Sequence, residues 1–220
     1  MLTHRLIGCG GTTGGVDPRA GQTATVDRAD PDVVAVKRAV RREMLARRRA
    51  MPVAERRAAD AAIVERLVTE LLGRGLTAVA AYVPVGTEPG GPELPALLRA
   101  AGLDVVLPVL APDADLDWAA YTGELADGPR GLLEPPGPRL GPAAVGVVGA
   151  VVVPAVAVDR RGVRLGRGGG SYDRALARLG PVRTATALLY DGELVDVLPA
   201  EPHDRTVAAV ITPAGRYPLG

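Results

Sequence analysis

What most constrains this chain is a recurrence of short, largely apolar runs set between segments of helical period. Ala150-Val151-Val152-Val153-Pro154 is the purest, and Ala78–Val83, Asp104–Val109, Thr184–Tyr190 and Val207–Thr212 are the others. Short apolar runs bounded by turn residues read as strands buried on both faces. Between them the apolar residues shift to helical spacing. Val36, Val40 and Met44 recur every fourth residue and predict a helix over 33–49. Pro52 suits the first turn of a second helix, where Val64, Val68 and Leu72 repeat that spacing beside Ile63, Leu67 and Leu71 until Gly73 and Gly75 end it. Leu94, Leu97, Leu98 and Ala101 predict a short helix closed by Gly102, and Gly170–Leu179 another. Helices alternating with buried strands predict an α/β fold of three layers, α/β/α, around a largely parallel sheet. Residues 111–148, rich in Pro, Gly and Asp, read as irregular apart from one hairpin near Leu116–Tyr121. Residues 1–31 have no apolar period and read as a disordered extension, which leaves 32–220 as a single domain.

Composition excludes several partners. With 26 basic and 25 acidic residues the net charge is +1, so the chain as a whole is not drawn to nucleic acid or anionic lipid. Lys37 is the only lysine, every other basic residue being arginine. Cys9, the only cysteine, excludes an internal disulfide, a multi-cysteine zinc site and a CxxC redox motif. Leu6-Ile7-Gly8-Cys9 has the look of a lipoprotein cleavage box, but no apolar region precedes it. No run is long enough to span a membrane, and a cytoplasmic monomer without nucleic-acid or membrane partners is expected.

Chemistry concentrates in Asp159–Asp173, which follows a buried strand and opens a helix. Gly166, Gly168, Gly169 and Gly170 would let backbone N–H groups close around phosphate oxygens, with Arg164 and Arg167 adding charge-assisted bonds. Asp173 could hold Mg²⁺, which takes one or two carboxylates together with phosphate oxygens. Neither G-x-x-x-x-G-K-[ST] nor G-x-G-x-x-G fits, so a plain flexible loop stands level with a phosphate cradle. Residues 36–49 carry Lys37 and Arg38, Arg41, Arg42, Arg47, Arg48 and Arg49 against Glu43 alone. Lys37 and Arg41, four apart, share a face that could border a cleft; a solvated arginine face is the plainer alternative. RNA binding is a weaker one, because no aromatics are interleaved. Glu88 falls just after a buried strand, where open α/β sheets place ligands, though taken alone an exposed loop glutamate is the plainer reading. His203-Asp204 reads as a metal or acid–base pair or as a surface loop, and Glu134-Pro135 as a turn. Ser171 is the only serine and lies in no nucleophile elbow, so a hydrolytic triad has no support.

Taken together, Val153–Asp159 followed by Arg164-Leu165-Gly166-x-Gly168-Gly169-Gly170-x-Tyr172-Asp173-Arg174 resembles the signature of the 5-formyltetrahydrofolate cyclo-ligases. Lys37-x-x-x-Arg41, Tyr82-Val83 leading to Glu88, Glu134-Pro135 and Leu198–Asp204 follow the same pattern, and the likeness spans 34–214. The resemblance implies an α/β/α ligase that uses ATP and Mg²⁺ to turn 5-formyltetrahydrofolate, polyglutamylated or not, into 5,10-methenyltetrahydrofolate through a phosphorylated formyl group. It implies catalytic roles for Lys37, Arg41 and Arg164. ATP contacts would run over these and Leu165, Gly166, Arg167, Gly168, Gly169, Gly170, Ser171 and Tyr172. Folate contacts would be Val83, Glu88 and Arg167–Ser171, and Mg²⁺ would be held by Asp173 and Asp204. Three departures stand out: Ser171 where members often carry an aromatic, Val158 for a frequent Phe, and Gly169 where some carry lysine. The alternatives are a non-catalytic member of this fold that binds nucleotide or RNA, and a sugar-phosphate isomerase or acyl-CoA transferase, which would need a carboxylate pair and no ATP.

Overall fold

A computed structural model describes residues 31–179 and 185–220. Residues 1–30 of the expected extension and Thr184 lie outside the described residues, while Pro31 opens the first helix. Helix α1 spans Pro31–Ala50 and α2 Val53–Gly73, with Pro52 just ahead of α2. The chain leaves α2 through Gly75 at φ +68°, where a side chain would be strained. There follow β1 (Ala78–Ala80), α3 (Leu94–Ala100), β2 (Asp104–Leu110), β3 (Leu116–Ala120), β4 (Ala126–Asp127) and β5 (Leu133–Glu134). The remainder holds β6 (Ala150–Pro154), β7 (Ala157–Asp159), β8 (Arg164–Leu165), α4 (Ser171–Leu176), β9 (Ala185–Leu188), β10 (Leu194–Val195), β11 (Ala209–Ile211) and β12 (Arg216–Pro218).

The main sheet runs β12-β11-β9-β6-β1-β2-β3. All pairings among β11, β9, β6, β1 and β2 are parallel, and β12 and β3 close the edges antiparallel. Counted along the chain, the parallel strands stand second, first, third, fourth, fifth, so the order reverses between β1 and β6. In a doubly wound sheet the crevice beyond the carboxyl ends at such a reversal is where ligands bind.

Alternation along the strands builds the three layers. Val79, Val105, Leu107, Val152, Leu188 and Ile211 pack on one face against Ile63, Leu67 and Leu71 of α2 and Leu94 and Leu98 of α3. Ala80, Val151, Val153, Ala187 and Val210 turn to the other face, with Trp118, Val145 and Leu176. The expected α2 stripe is thus shifted by one residue, and Leu72 is exposed.

Helix α1 departs further from expectation. Val36 is 48% exposed, and the inward face carries Lys37, Met44 and Arg48 instead. The helix packs on a small second sheet, β10-β7-β8, where Met44 meets Val156, Ala157, Val163, Leu165 and Leu198. Long cations take inward positions because carboxylates wait there to receive them. Helix α4 is shorter than the expected 170–179, and Glu134-Pro135, read as a turn, is buried with Glu134 in β5.

Candidate active site

Beyond the carboxyl ends of β1 and β6 lie two adjoining cavities, of about 430 and 160 Å³. Glu88, Arg167 and Tyr172 line both, together with the apolar Leu110, Leu116, Leu132 and Pro154.

The larger cavity is walled by the loop from β8 to α4. Its glycines are there for space and for conformation. A Cβ on Gly166 would stand 2.7 Å from Arg164 Nη1, and Gly168 and Gly170 hold φ of +103° and +67°. Arg164 is buried beneath the loop. It donates from Nη2 to Asp173 Oδ1 (2.9 Å) and from Nη1 to the Pro154 carbonyl (3.3 Å), and it lies 5.8 Å from the Tyr172 ring centroid. Its Nε is buried with no partner among the described residues. Arg41 Nε donates to the Gly166 carbonyl at 2.8 Å, which ties α1 to the loop. Four residues before it on the same face, Lys37 Nζ donates to Glu201 Oε2 (2.7 Å) and Asp204 Oδ2 (2.6 Å). Burial works against the Lys37 charge, but Asp204 and Glu201 outweigh it and raise the ammonium above its ordinary value.

The smaller cavity is mostly apolar, with two carboxylates in its walls. Glu88 is buried. Its Oε2 accepts from Val85 N at 2.8 Å, while Oε1 meets Arg167 Nε at 2.9 Å. The plainer reading of an exposed loop glutamate is therefore wrong. Glu134 Oε1 accepts from Leu110 N at 2.7 Å. Burial pushes the Tyr172 phenol well above its usual value, with Glu88 adding to the effect.

Every candidate named from the sequence lines one cavity or the other: Val83 the smaller, and Lys37, Arg41, Arg164–Asp173 and Asp204 the larger. Asp173 and Asp204 share that cavity but hold different cations. Asp173 Oδ1 takes Arg164 and Arg205 N, while Asp204 takes Lys37. The group whose ligand atoms lie within 4.8 Å of one another is instead Glu201, His203 and Asp204. Sequence reasoning missed Glu201 and the burial of Glu134, and it named Tyr82 as part of the motif without giving it a place in the smaller cavity. The only available signal for Glu201 was its place three residues before Asp204 in one loop.

A basic, glycine-rich cavity joined to an apolar one at the reversal of a doubly wound sheet defines an α/β protein with a two-compartment cleft where such sheets bind ligands. Its class is settled by comparison with known proteins. The chain belongs to the 5-formyltetrahydrofolate cyclo-ligase family, whose pattern matches residues 33–213, and it is a ligase that forms a cyclic C–N bond. It is 42% identical over 180 residues to the 5-formyltetrahydrofolate cyclo-ligase of Mycolicibacterium smegmatis, covering 79% of this chain and 92% of that protein. Over 65 residues it is 42% identical to the Escherichia coli K12 protein of the same name, 29% of this chain and 36% of the other. Among solved structures, the Aquifex aeolicus 5,10-methenyltetrahydrofolate synthetase superposes with a TM-score of 0.71 at 26% identity, covering 84% of this chain and 93% of that one. The Mycoplasma pneumoniae 5,10-methenyltetrahydrofolate synthetase shares the fold, with a TM-score of 0.65 at 22% identity over 80% of this chain and 98% of that one.

Proposed function

We propose that this ligase converts 5-formyltetrahydrofolate and ATP into 5,10-methenyltetrahydrofolate, ADP and phosphate. The observation that carries the reading is the joining of the two cavities at Glu88, Arg167 and Tyr172, which lets a phosphate donor and an apolar ring system meet. The residues fit a nucleotide phosphate: Lys37, Arg41 and Arg164 border the larger cavity, and Arg164 Nε is a buried donor left over. They also fit Mg²⁺: Asp204 stands with Glu201 and His203, their ligand atoms within 4.8 Å of one another, and Asp173 offers a further hard carboxylate on the same cavity. Those two aspartates would hold the ion, which would neutralise phosphate charge.

ATP, when bound, supplies the phosphoryl group. The formyl oxygen bonds to phosphorus as the bond to ADP breaks. The neighbouring secondary aryl amine, which lies outside the pterin ring, then attacks the activated carbon and closes a new ring; its proton departs, and the carbon–oxygen bond breaks to release phosphate. Phosphoryl transfer asks a protein for positioning and charge neutralisation and for no covalent nucleophile. Lys37, Arg41 and Arg164 serve as the catalytic cations, and Leu165, Gly166–Gly170, Ser171 and Tyr172 frame the phosphates. Val83, Glu88 and Arg167–Ser171 hold the folate. Ser171 offers no aromatic surface for it, and its hydroxyl is already donated to the Ala114 carbonyl at 2.6 Å. The enzyme works as a cytoplasmic monomer, independent of nucleic acid and membrane. Among the described residues no helix is long and apolar enough to cross a membrane.

The test is to incubate the folded protein with 5-formyltetrahydrofolate, Mg²⁺ and ATP and to follow the near-ultraviolet absorbance of the methenyl product. An ATP-dependent rise is expected; a flat trace would sink the proposal.

A further inference from the structure

Lys37, Arg41, Met44 and Arg48 succeed one another on the inward face of α1, at the four-three-four spacing of a single helical stripe. The first two reach the larger cavity. Arg48 does not line it, yet it is 1% exposed and makes three hydrogen bonds, with Nη1 alone left buried and without a partner among the described residues. Its Nε and Nη2 form a bidentate pair with Glu193 Oε1 and Oε2, at 2.6 and 2.7 Å. Nη2 also donates to the carbonyl of Ala155 at 2.7 Å, and Ala155 is part of the cavity wall. Glu193 is fixed in turn, because its Oε2 accepts from Tyr190 N at 2.9 Å. The Tyr190 ring lies 5.6 Å from the guanidinium, and its hydroxyl donates to Asp60 Oδ1, which also takes Gly90 N two residues beyond Glu88. Burial pushes the Glu193 carboxyl above its ordinary value, against the pull of Arg48.

A buried ion pair adds little net stability compared with a well-packed apolar pair, so its use is better sought in geometry. A bidentate fork fixes both position and rotation of the helix that carries it. We propose that Arg48, through Glu193 and the Ala155 carbonyl, is the positioning residue that sets α1 so that Lys37 and Arg41 face the nucleotide phosphates. This rests on the proposed use of ATP. Because α1 gives Lys37 and Arg41 to the larger cavity and no residue to the smaller one, loss of the clamp acts on the nucleotide more than on the folate.

The test compares Arg48→Met, Glu193→Gln and the apolar double variant Arg48→Met/Glu193→Leu with the unmutated protein. ATP affinity is read by calorimetry without folate, KM is measured for each substrate, and melting temperature monitors the fold. The double variant is the one expected to keep the fold, since it leaves no charge unpaired. ATP affinity should fall about tenfold in the double variant, with the folate KM within about twofold of its starting value. Combining it with Lys37→Ala should cost less than the two losses multiplied, because both act at one contact. Unchanged ATP affinity in folded variants would overturn the proposal, as would equal losses for both substrates. Failure of all three variants to fold would also overturn it, by making the pair purely structural. If the unmutated protein itself binds no ATP, the failure belongs to the proposed reaction and not to Arg48.

Discussion

Lys37 sits 2.6 and 2.7 Å from two carboxylates in a chain where every other basic residue is arginine. An ammonium is a compact point charge on a flexible stem, whereas a guanidinium is a planar fork with different reach. Lys37→Arg is therefore not conservative here, and the KM for ATP should rise about tenfold, as steady-state kinetics at saturating folate would record. Asp159 works in another way. It is fully buried, and its carboxylate accepts from the backbone N–H groups of Arg161, Val163 and Leu198 and from the Arg161 side chain. Burial opposes its charge, but these donors hold its carboxyl below the ordinary 3.8. A depressed carboxylate contributes stability that is present above the unfolded value and lost as pH falls through the folded one. Asp159→Ala should cost about 3 kcal/mol near neutral pH by stranding buried donors. Denaturant melts at several pH values should also show its stability falling less steeply than that of the unmutated protein below about pH 4.

At the scale of elements, the β8–α4 loop is held in shape by what its glycines leave out. Gly166→Ala would drive a methyl into Arg164 Nη1 and disturb the Asp173 pair behind it. The expected outcome is a fall in kcat/KM for ATP of about tenfold or more with a melting temperature near that of the unmutated protein, checked by kinetics and a thermal melt. The strands around this loop are legible in the sequence because burial on both faces leaves an unbroken apolar run. Val151, Val152 and Val153 face opposite clusters in alternation, and neither side admits a polar residue. The loop and its arginines are legible through their resemblance to a known signature. Helix α1 is read less well. Its period-four valines suggest a greasy stripe, whereas Val36 is exposed and Arg48 is buried, because a charge with a distant partner looks like any surface charge. Strands β4, β5, β8 and β10 escape for a related reason: two residues of pairing leave too little pattern to read.

For the molecule as a whole, the reversal between β1 and β6 gathers side chains from both ends of the described chain, from Lys37 to Asp204, around one opening. A ligand that bridges such distant segments stabilises the folded state alone. At a hundredfold excess over Kd, ATP with Mg²⁺ should add about 2.7 kcal/mol. For a domain of this size that corresponds to a rise in Tm of about 5–10 °C, measurable by scanning calorimetry. ATP without the metal should give a smaller rise, and no rise with either would count against the nucleotide cavity.

The protein also carries its own optical reporter. Trp118 is the only tryptophan, on β3, with no exposed surface, and Leu116 two residues before it lines both cavities. A single indole buried among aliphatic side chains emits from one environment, so the colour of its fluorescence follows one place in the fold. Its red shift on unfolding can be read without a second tryptophan to blur it. Quenching by a pterin ring in the neighbouring compartment would time substrate entry in a stopped-flow trace, with no label attached.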